Sequence, residues 1–69
     1  MKTYYVFVRD WWKENPSWPN GLEPDSGAEK TILRGGRGLT EEEAREMAQE
    51  WNKTHDPGRY SRKAEFDEE

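Results

Sequence analysis

The chain has 69 residues and a formal net charge of −4, and it contains four tryptophans but no cysteine. This length allows one small domain with a limited core, and the lack of cysteine excludes disulfides and thiolate metal sites and favours a cytoplasmic location. The acidic balance argues against a nucleic-acid-binding protein that depends on an overall positive charge.

The first predicted element is a β-strand over residues 3–9, where every residue before the final arginine is β-branched or aromatic. Alternation assigns Tyr4, Val6 and Val8 to one face and Tyr5, Phe7 and Arg9 to the other. Both faces are apolar, so the strand is predicted at the centre of a sheet. The apolar run is too short for a signal sequence or a membrane span, and we expect no membrane partner.

A long connection is predicted over residues 10–28, where three prolines and two glycine-containing pairs interrupt regular structure. Its tryptophans, Trp11, Trp12 and Trp18, allow two interpretations. In the first, the loop folds back over one face of the sheet and buries Tyr5 and Phe7, because a large aromatic side chain removes about 150 to 250 Å² from water. In the second, exposed indoles anchor a protein partner or a second copy of the chain.

A short second strand is predicted over residues 29–34, followed by the glycine-rich segment 35–38. A glycine loop before a helix is a position where phosphate can bind. The spacing here matches neither common phosphate-binding motif, and the glutamates at the start of the following helix would repel a phosphate. A tight turn is therefore the preferred interpretation.

The helix is predicted to begin after Thr40, which forms a capping box with Glu43. The helical stripe that faces the core consists of Ala44, Met47, Ala48 and Trp51. The helix must end before Pro57. The single histidine, His55, is better explained as a helix-terminal residue than as a proton donor or metal ligand, because neither cysteine nor a second histidine is present.

A third strand is predicted over residues 59–66, and residues 67–69 are predicted to be a flexible acidic tail on a domain that spans residues 1–66. The strand–helix–strand connection places the second and third strands parallel, with the first strand between them and antiparallel to both. The predicted fold is therefore α+β with the order β-β-α-β. It has a three-stranded mixed sheet in the order 2-1-3 and one helix on one face.

The chain contains no motif for catalysis, a cofactor or a metal, since its serines lie outside nucleophile motifs and its carboxylates lack a predicted pocket. We therefore expect a protein-interaction or accessory module rather than an enzyme, and a homodimer is one form of this hypothesis. Its predicted partner-binding residues are Trp11, Trp12, Trp18, Tyr5 and Phe7.

The alternative is a surface that binds single-stranded nucleic acid by stacking bases on aromatic rings beside basic groups. Its predicted residues are Arg9, Arg59, Tyr60, Arg62 and Lys63, next to Tyr5 and Phe7. The simpler interpretation of these charges is protection of an edge strand from unwanted pairing. No RNA-recognition motif supports the alternative.

Overall fold

The computed structural model describes residues 2–69, which form a three-stranded sheet, a two-stranded hairpin and one helix. The elements in chain order are β1 (Tyr4–Arg9), β2 (Trp12–Glu14), β3 (Leu22–Pro24), β4 (Thr31–Ile32), α1 (Glu41–Thr54) and β5 (Lys63–Glu68). The predicted α+β class with a single helix is confirmed.

β1 is the central strand of the sheet, as its two apolar faces predict. β4 and β5 flank it in the order β4-β1-β5, which confirms the predicted order 2-1-3. Both pairings are antiparallel, with Phe7 opposite Ile32 and Val6 opposite Phe66. The two outer strands run parallel to each other without pairing, so the sheet is antiparallel in its hydrogen bonding rather than mixed.

The hydrophobic core lies between this sheet and α1. Its buried members are Val6, Val8, Ala44, Ala48 and Ala64, and Tyr4, Leu33, Leu39, Met47, Trp51 and Phe66 pack around them. The predicted helical stripe is confirmed, and the face of β1 that carries Tyr4, Val6 and Val8 is the one that packs on α1. Alanines at the contact let the helix lie close to the sheet.

Both ends of α1 follow the sequence prediction. The Glu43 N–H donates to Thr40 Oγ1 at 3.1 Å, and the Thr40 N–H donates to Glu43 Oε1 at 3.0 Å, which completes the capping box. The helix ends at Thr54, with His55 as its C-cap. The His55 ring stacks on Trp51 with centroids 4.1 Å apart.

β4 is shorter than predicted because the chain after Ile32 turns while it stays bonded to β1. The Leu33 N–H donates to the Val6 carbonyl at 3.0 Å, and the Val6 N–H donates to the Gly36 carbonyl at 2.8 Å. A Cβ at Gly36 would lie 2.9 Å from the Leu33 oxygen and 3.0 Å from the Val6 oxygen. Glycine therefore permits this turn, which replaces the end of the predicted strand, while Glu29 and Lys30 at its predicted start lie in the connection before β4.

β5 begins and ends later in the sequence than predicted, at Lys63–Glu68 rather than at residues 59–66. It begins at Lys63 because residues 58–61 form a turn, in which Ser61 has a φ of 52°. It continues through Asp67 and Glu68, which pair with Tyr5 and Tyr4. The predicted flexible tail is therefore wrong, because Asp67 and Glu68 belong to β5 and the Glu69 N–H donates to the Thr3 carbonyl at 2.9 Å. The low β-propensity of these acidic residues did not indicate a strand end that pairs with β1.

The free edge of β5 is bonded by a side chain from α1. The Ala64 N–H donates to Asn52 Oδ1 at 2.8 Å, and Asn52 Nδ2 donates to the Ala64 carbonyl at 3.0 Å. One amide thus satisfies both backbone groups of a buried residue at the sheet edge.

The predicted long loop contains a β-hairpin, which we name the tryptophan arm and define as residues 11–25. Its strands β2 and β3 contact each other but no other strand or helix within residues 2–69. The radius of gyration is 13.6 Å and the longest dimension is 45 Å, whereas a compact chain of this length has a radius of about 11 Å. The arm therefore projects from the rest of the chain, which we name the body.

Candidate functional site

Three of the four tryptophans are exposed on the tryptophan arm. Trp11 is 42% exposed, Trp12 36% and Trp18 44%, and these are the large hydrophobic residues most accessible to solvent in the described chain. The fourth, Trp51, packs against the core. The interpretation of the tryptophans as a lid over the sheet is therefore wrong for the arm as a whole, because its hairpin extends away from the body.

Trp18 lies in the turn that connects β2 and β3, and local hydrogen bonds hold its backbone. Its N–H donates to the Asn15 carbonyl at 3.0 Å, and its carbonyl accepts from the Gly21 N–H at 2.9 Å. The Ser17 N–H donates to Asn15 Oδ1, and prolines on both sides restrict the backbone further. The arm therefore presents this indole from an ordered turn.

The two faces of the hairpin differ in chemistry. The strand register places Trp12 opposite Pro24 and Glu14 opposite Leu22 on one face. Lys13 and Glu23 face each other on the other side and form an ion pair with an N–O distance of 3.4 Å. The arm thus has one partly apolar face and one charged face.

The base of the arm is fastened to the turn before β5. The Tyr60 carbonyl accepts from the N–H groups of both Trp11 and Trp12, at 2.9 and 3.1 Å. Arg59 forms an ion pair with Glu14 at 3.0 Å. A hydrogen bond to the Glu14 carboxylate, with a smaller effect of desolvation, raises the pKa of Tyr60 above its ordinary value of 10. The arm is thereby held in one orientation relative to the body.

The sheet face that carries no helix is covered by cationic side chains. Phe7 is only 4% exposed. Lys30 Nζ lies 4.4 Å from the centroid of its ring, Arg9 Cζ lies 5.9 Å from it, and Tyr5 packs beside it with centroids 5.3 Å apart. The aliphatic stems of long cations cover apolar surface while their charged ends reach water. Phe7 is therefore buried, as in the first interpretation, but beneath Lys30 rather than beneath indoles, and its prediction as a partner-binding residue is not supported.

Trp11 joins the arm to the edge of this covered face. Its ring centroid lies 5.8 Å from Arg9 Cζ and 5.1 Å from Lys63 Nζ. Arg9 also donates through Nε to Glu65 at 2.7 Å. Trp11 is thus the tryptophan nearest to the predicted lid position, although its indole remains exposed.

The residues of the nucleic-acid alternative are divided between two places. Arg59 and Tyr60 lie in the turn before β5 and contact the arm through Glu14, whereas Arg9 and Lys63 lie on the sheet beside Trp11. Three of the four cations are paired: Arg9 with Glu65, Arg59 with Glu14, and Arg62 with Asp10. These pairs reduce the positive charge that a phosphate backbone would meet.

The glycine-rich segment 35–38 forms a turn, and a carboxylate of the same chain already accepts a hydrogen bond from one of its N–H groups. The Gly38 N–H donates to Glu69 Oε1 at 2.6 Å. Within residues 2–69 no group of three or more histidine, aspartate or glutamate side chains is placed to hold a metal ion. The described part of the chain also has no helix with the length and apolar character needed to cross a membrane.

Sequence reasoning missed two features of this surface. Lys30 lies in the connection before β4, and no spacing rule marked it as the cover of Phe7. An open groove of about 980 Å³ also runs along α1 beside Leu33, Leu39, Met47 and Trp51. The groove could have been inferred from the predicted fold, because one helix is narrower than a three-stranded sheet and leaves part of it uncovered.

Comparison with known proteins does not assign the chain to a family. No protein-family model matches it, and no curated protein or solved structure is significantly similar to it.

Proposed function

We propose that the chain is a small protein-binding module whose contact surface is the tryptophan arm. The observation that carries the proposal is the exposure of Trp11, Trp12 and Trp18, each 36% or more, on a hairpin that projects from the body. The partner is a protein with apolar pockets that receive these indoles. An intracellular location, favoured by the lack of cysteine, belongs to the same proposal.

The three exposed indoles supply apolar surface on the arm. At roughly 40% exposure, each indole leaves about 100 Å² accessible, and the three together leave about 300 Å². Exposed aromatic groups of this kind can anchor a protein partner, and tryptophan is among the residue types most enriched in binding hot spots. Phe7 is left out of the proposed contact surface because Lys30 covers it, and Tyr5 is half-buried beside it.

The arm is also organised before it binds. The backbone bonds at Trp18 and the attachment to Tyr60 fix the hairpin in the free protein. A partner therefore does not have to supply the free energy that ordering a flexible loop costs.

Ion pairing of the basic side chains with carboxylates favours protein binding over nucleic-acid binding. Arg9, Arg59 and Arg62 each have a carboxylate partner within 3.3 Å. Binding a phosphate backbone would require these pairs to break, whereas insertion of Trp18 into an apolar pocket leaves them intact.

The proposal is tested by photo-crosslinking in cells of the native host. A photoreactive phenylalanine analogue replaces Trp18 in one variant and Gln49, an exposed residue on α1, in the control. We expect a protein crosslinked from position 18 and absent from position 49. With that protein purified, Trp18→Ala should weaken binding at least about tenfold.

Three results would overturn the proposal. The first is equal crosslinking from both positions, and the second is equal affinity of the Trp18→Ala variant for the purified partner. The third is tight, strongly salt-dependent binding of a random single-stranded oligonucleotide that is lost on substitution of Lys63, which would support the nucleic-acid alternative instead.

A further inference from the structure

We propose a second binding site, separate from the tryptophan arm: the groove beside α1 receives an amphipathic helix of a partner protein, with basic residues along the flank that faces α1. The groove is open and has a volume of about 980 Å³. Its apolar floor consists of Leu33, Leu39, Met47 and Trp51, all of which are half-buried.

The groove exists because one helix does not cover this sheet. α1 packs against β5 and β1, and within the described chain it makes no contact with β4. An α-helix with its side chains is about 10 Å wide, which is the width of two strands spaced about 4.8 Å apart. The strip next to β4, which continues into Leu33 and Leu39, is therefore left without a helix. This strip is only about one strand wide, so a second helix lying alongside α1 would cover it and extend beyond the β4 edge of the sheet.

The two sides of the groove differ in charge: three glutamates and one lysine, Lys53, line it from α1, whereas Arg34 lines it from the other side. Glu46 and Glu50 lie on the α1 side, are exposed, and form no ion pair with any residue between 2 and 69. Arg34 lies on the opposite rim, is exposed, and is likewise unpaired in the described chain. A helix in the groove therefore matches best with lysine or arginine toward α1 and an acidic residue toward Arg34. This charge pattern also fixes the direction in which the helix runs.

The charge pattern points to a different protein rather than a second copy. The helix that the described chain could offer is α1, which carries Glu42 on its solvent side and Glu46 and Glu50 on the flank toward the groove. Placing these carboxylates against the same rim of another copy would bring like charges together, which opposes pairing. The occupant must carry the opposite charge.

The test uses a synthetic peptide of about 18 residues, or five helical turns. It carries leucines along one stripe, lysines on one flank and glutamates on the other, and a scrambled peptide of identical composition is its control. Binding to the full chain is measured by fluorescence anisotropy of the labelled peptide. We expect saturable binding of the amphipathic peptide only, with shifts of the Met47 methyl resonance in nuclear magnetic resonance spectra.

Two variants with the same change in net charge sharpen the test. Glu50→Lys alters the rim, whereas Glu42→Lys alters the solvent side of the first helical turn. We expect at least about fivefold weaker binding to Glu50→Lys and less than about twofold change for Glu42→Lys. A peptide whose lysines are replaced by glutamate should recover affinity for the Glu50→Lys variant.

Three results would overturn this inference. One is equal binding of the scrambled peptide, and another is equal weakening by the two variants, which would indicate general charge attraction. The third is a shift of the Met47 resonance with protein concentration alone, together with formation of a dimer, which would assign the groove to a second copy. None of these results bears on the tryptophan arm, and binding should be unchanged in Trp18→Ala.

Discussion

The body and the tryptophan arm use aromatic side chains in opposite ways. In the body, Phe7 is covered by Lys30, and Trp51 packs against the core and stacks on His55. In the arm, three tryptophans remain 36% to 44% exposed although the hairpin that carries them is well bonded. The comparison indicates that the two regions have different roles: the body stabilises the fold, and the arm keeps apolar side chains accessible for binding.

The largest expected difference between the two regions is in stability. Val6 is completely buried, and Val6→Ala should lower the free energy of unfolding by about 2 to 3 kcal/mol through lost burial and an internal cavity. A domain this small has only about 3 to 5 kcal/mol available. Trp18→Ala should change the same quantity by less than Val6→Ala does, because Trp18 is 44% exposed. Chemical denaturation of both variants measures the contrast, and a loss for Trp18→Ala equal to that for Val6→Ala would remove the distinction between body and arm.

A smaller effect is expected at the edge of the sheet. Asn52→Ala leaves the buried N–H and carbonyl of Ala64 without their partner and should cost about 1 to 3 kcal/mol of unfolding free energy. Gln49→Ala is the matched control, because Gln49 is exposed on the same helix. Denaturation curves of the two variants that coincide would mean that the Asn52 amide contributes nothing to the body.

The smallest expected effect concerns the attachment of the arm to the body, and it is measured as a change in the pKa of Tyr60. The Glu14 hydrogen bond raises the pKa of Tyr60, so the folded state favours the neutral phenol. The stabilisation is complete below pH 10 and is lost as the pH rises through the folded-state pKa, because the unfolded state releases its proton first. Glu14→Ala should return the Tyr60 pKa toward 10, as measured by nuclear magnetic resonance.

Glu23→Ala is the control for this titration, since Glu23 lies on the opposite face of the arm and pairs with Lys13. The Tyr60 pKa should not move in this variant. A pKa of Tyr60 that responds equally to both substitutions would show that the general charge of the arm, rather than contact with Glu14, sets its value.

The body could be predicted from the sequence because its signals are local and agree with one another. The two apolar faces of residues 4–8 predicted the central strand, and Thr40 with Glu43 predicted the start of the helix. The spacing of Ala44, Met47, Ala48 and Trp51 predicted the face that packs on the sheet. Each signal depends on periodicity or capping, which neighbouring residues determine.

The arm and the end of β5 could not be predicted because their structure depends on partners distant in sequence. β2 and β3 have three residues each, too few for an alternation pattern, and the Tyr60 carbonyl anchors them from the far end of the chain. Asp67 and Glu68 join the sheet only because β1 supplies backbone partners. The exposure of the indoles was left open between two interpretations for the same reason.

The shared carbonyl of Tyr60 has a mechanical consequence. The N–H groups of Trp11 and Trp12 both donate to the Tyr60 carbonyl, whose peptide unit leads into β5. In the same turn, the Ser61 N–H donates to the Gly58 carbonyl and the Arg62 N–H donates to the Pro57 carbonyl. A molecule that binds the tip of the arm should therefore also reduce local unfolding of the turn before β5. Slower amide hydrogen exchange at Ser61 and Arg62 would then report occupancy of a site that neither residue touches.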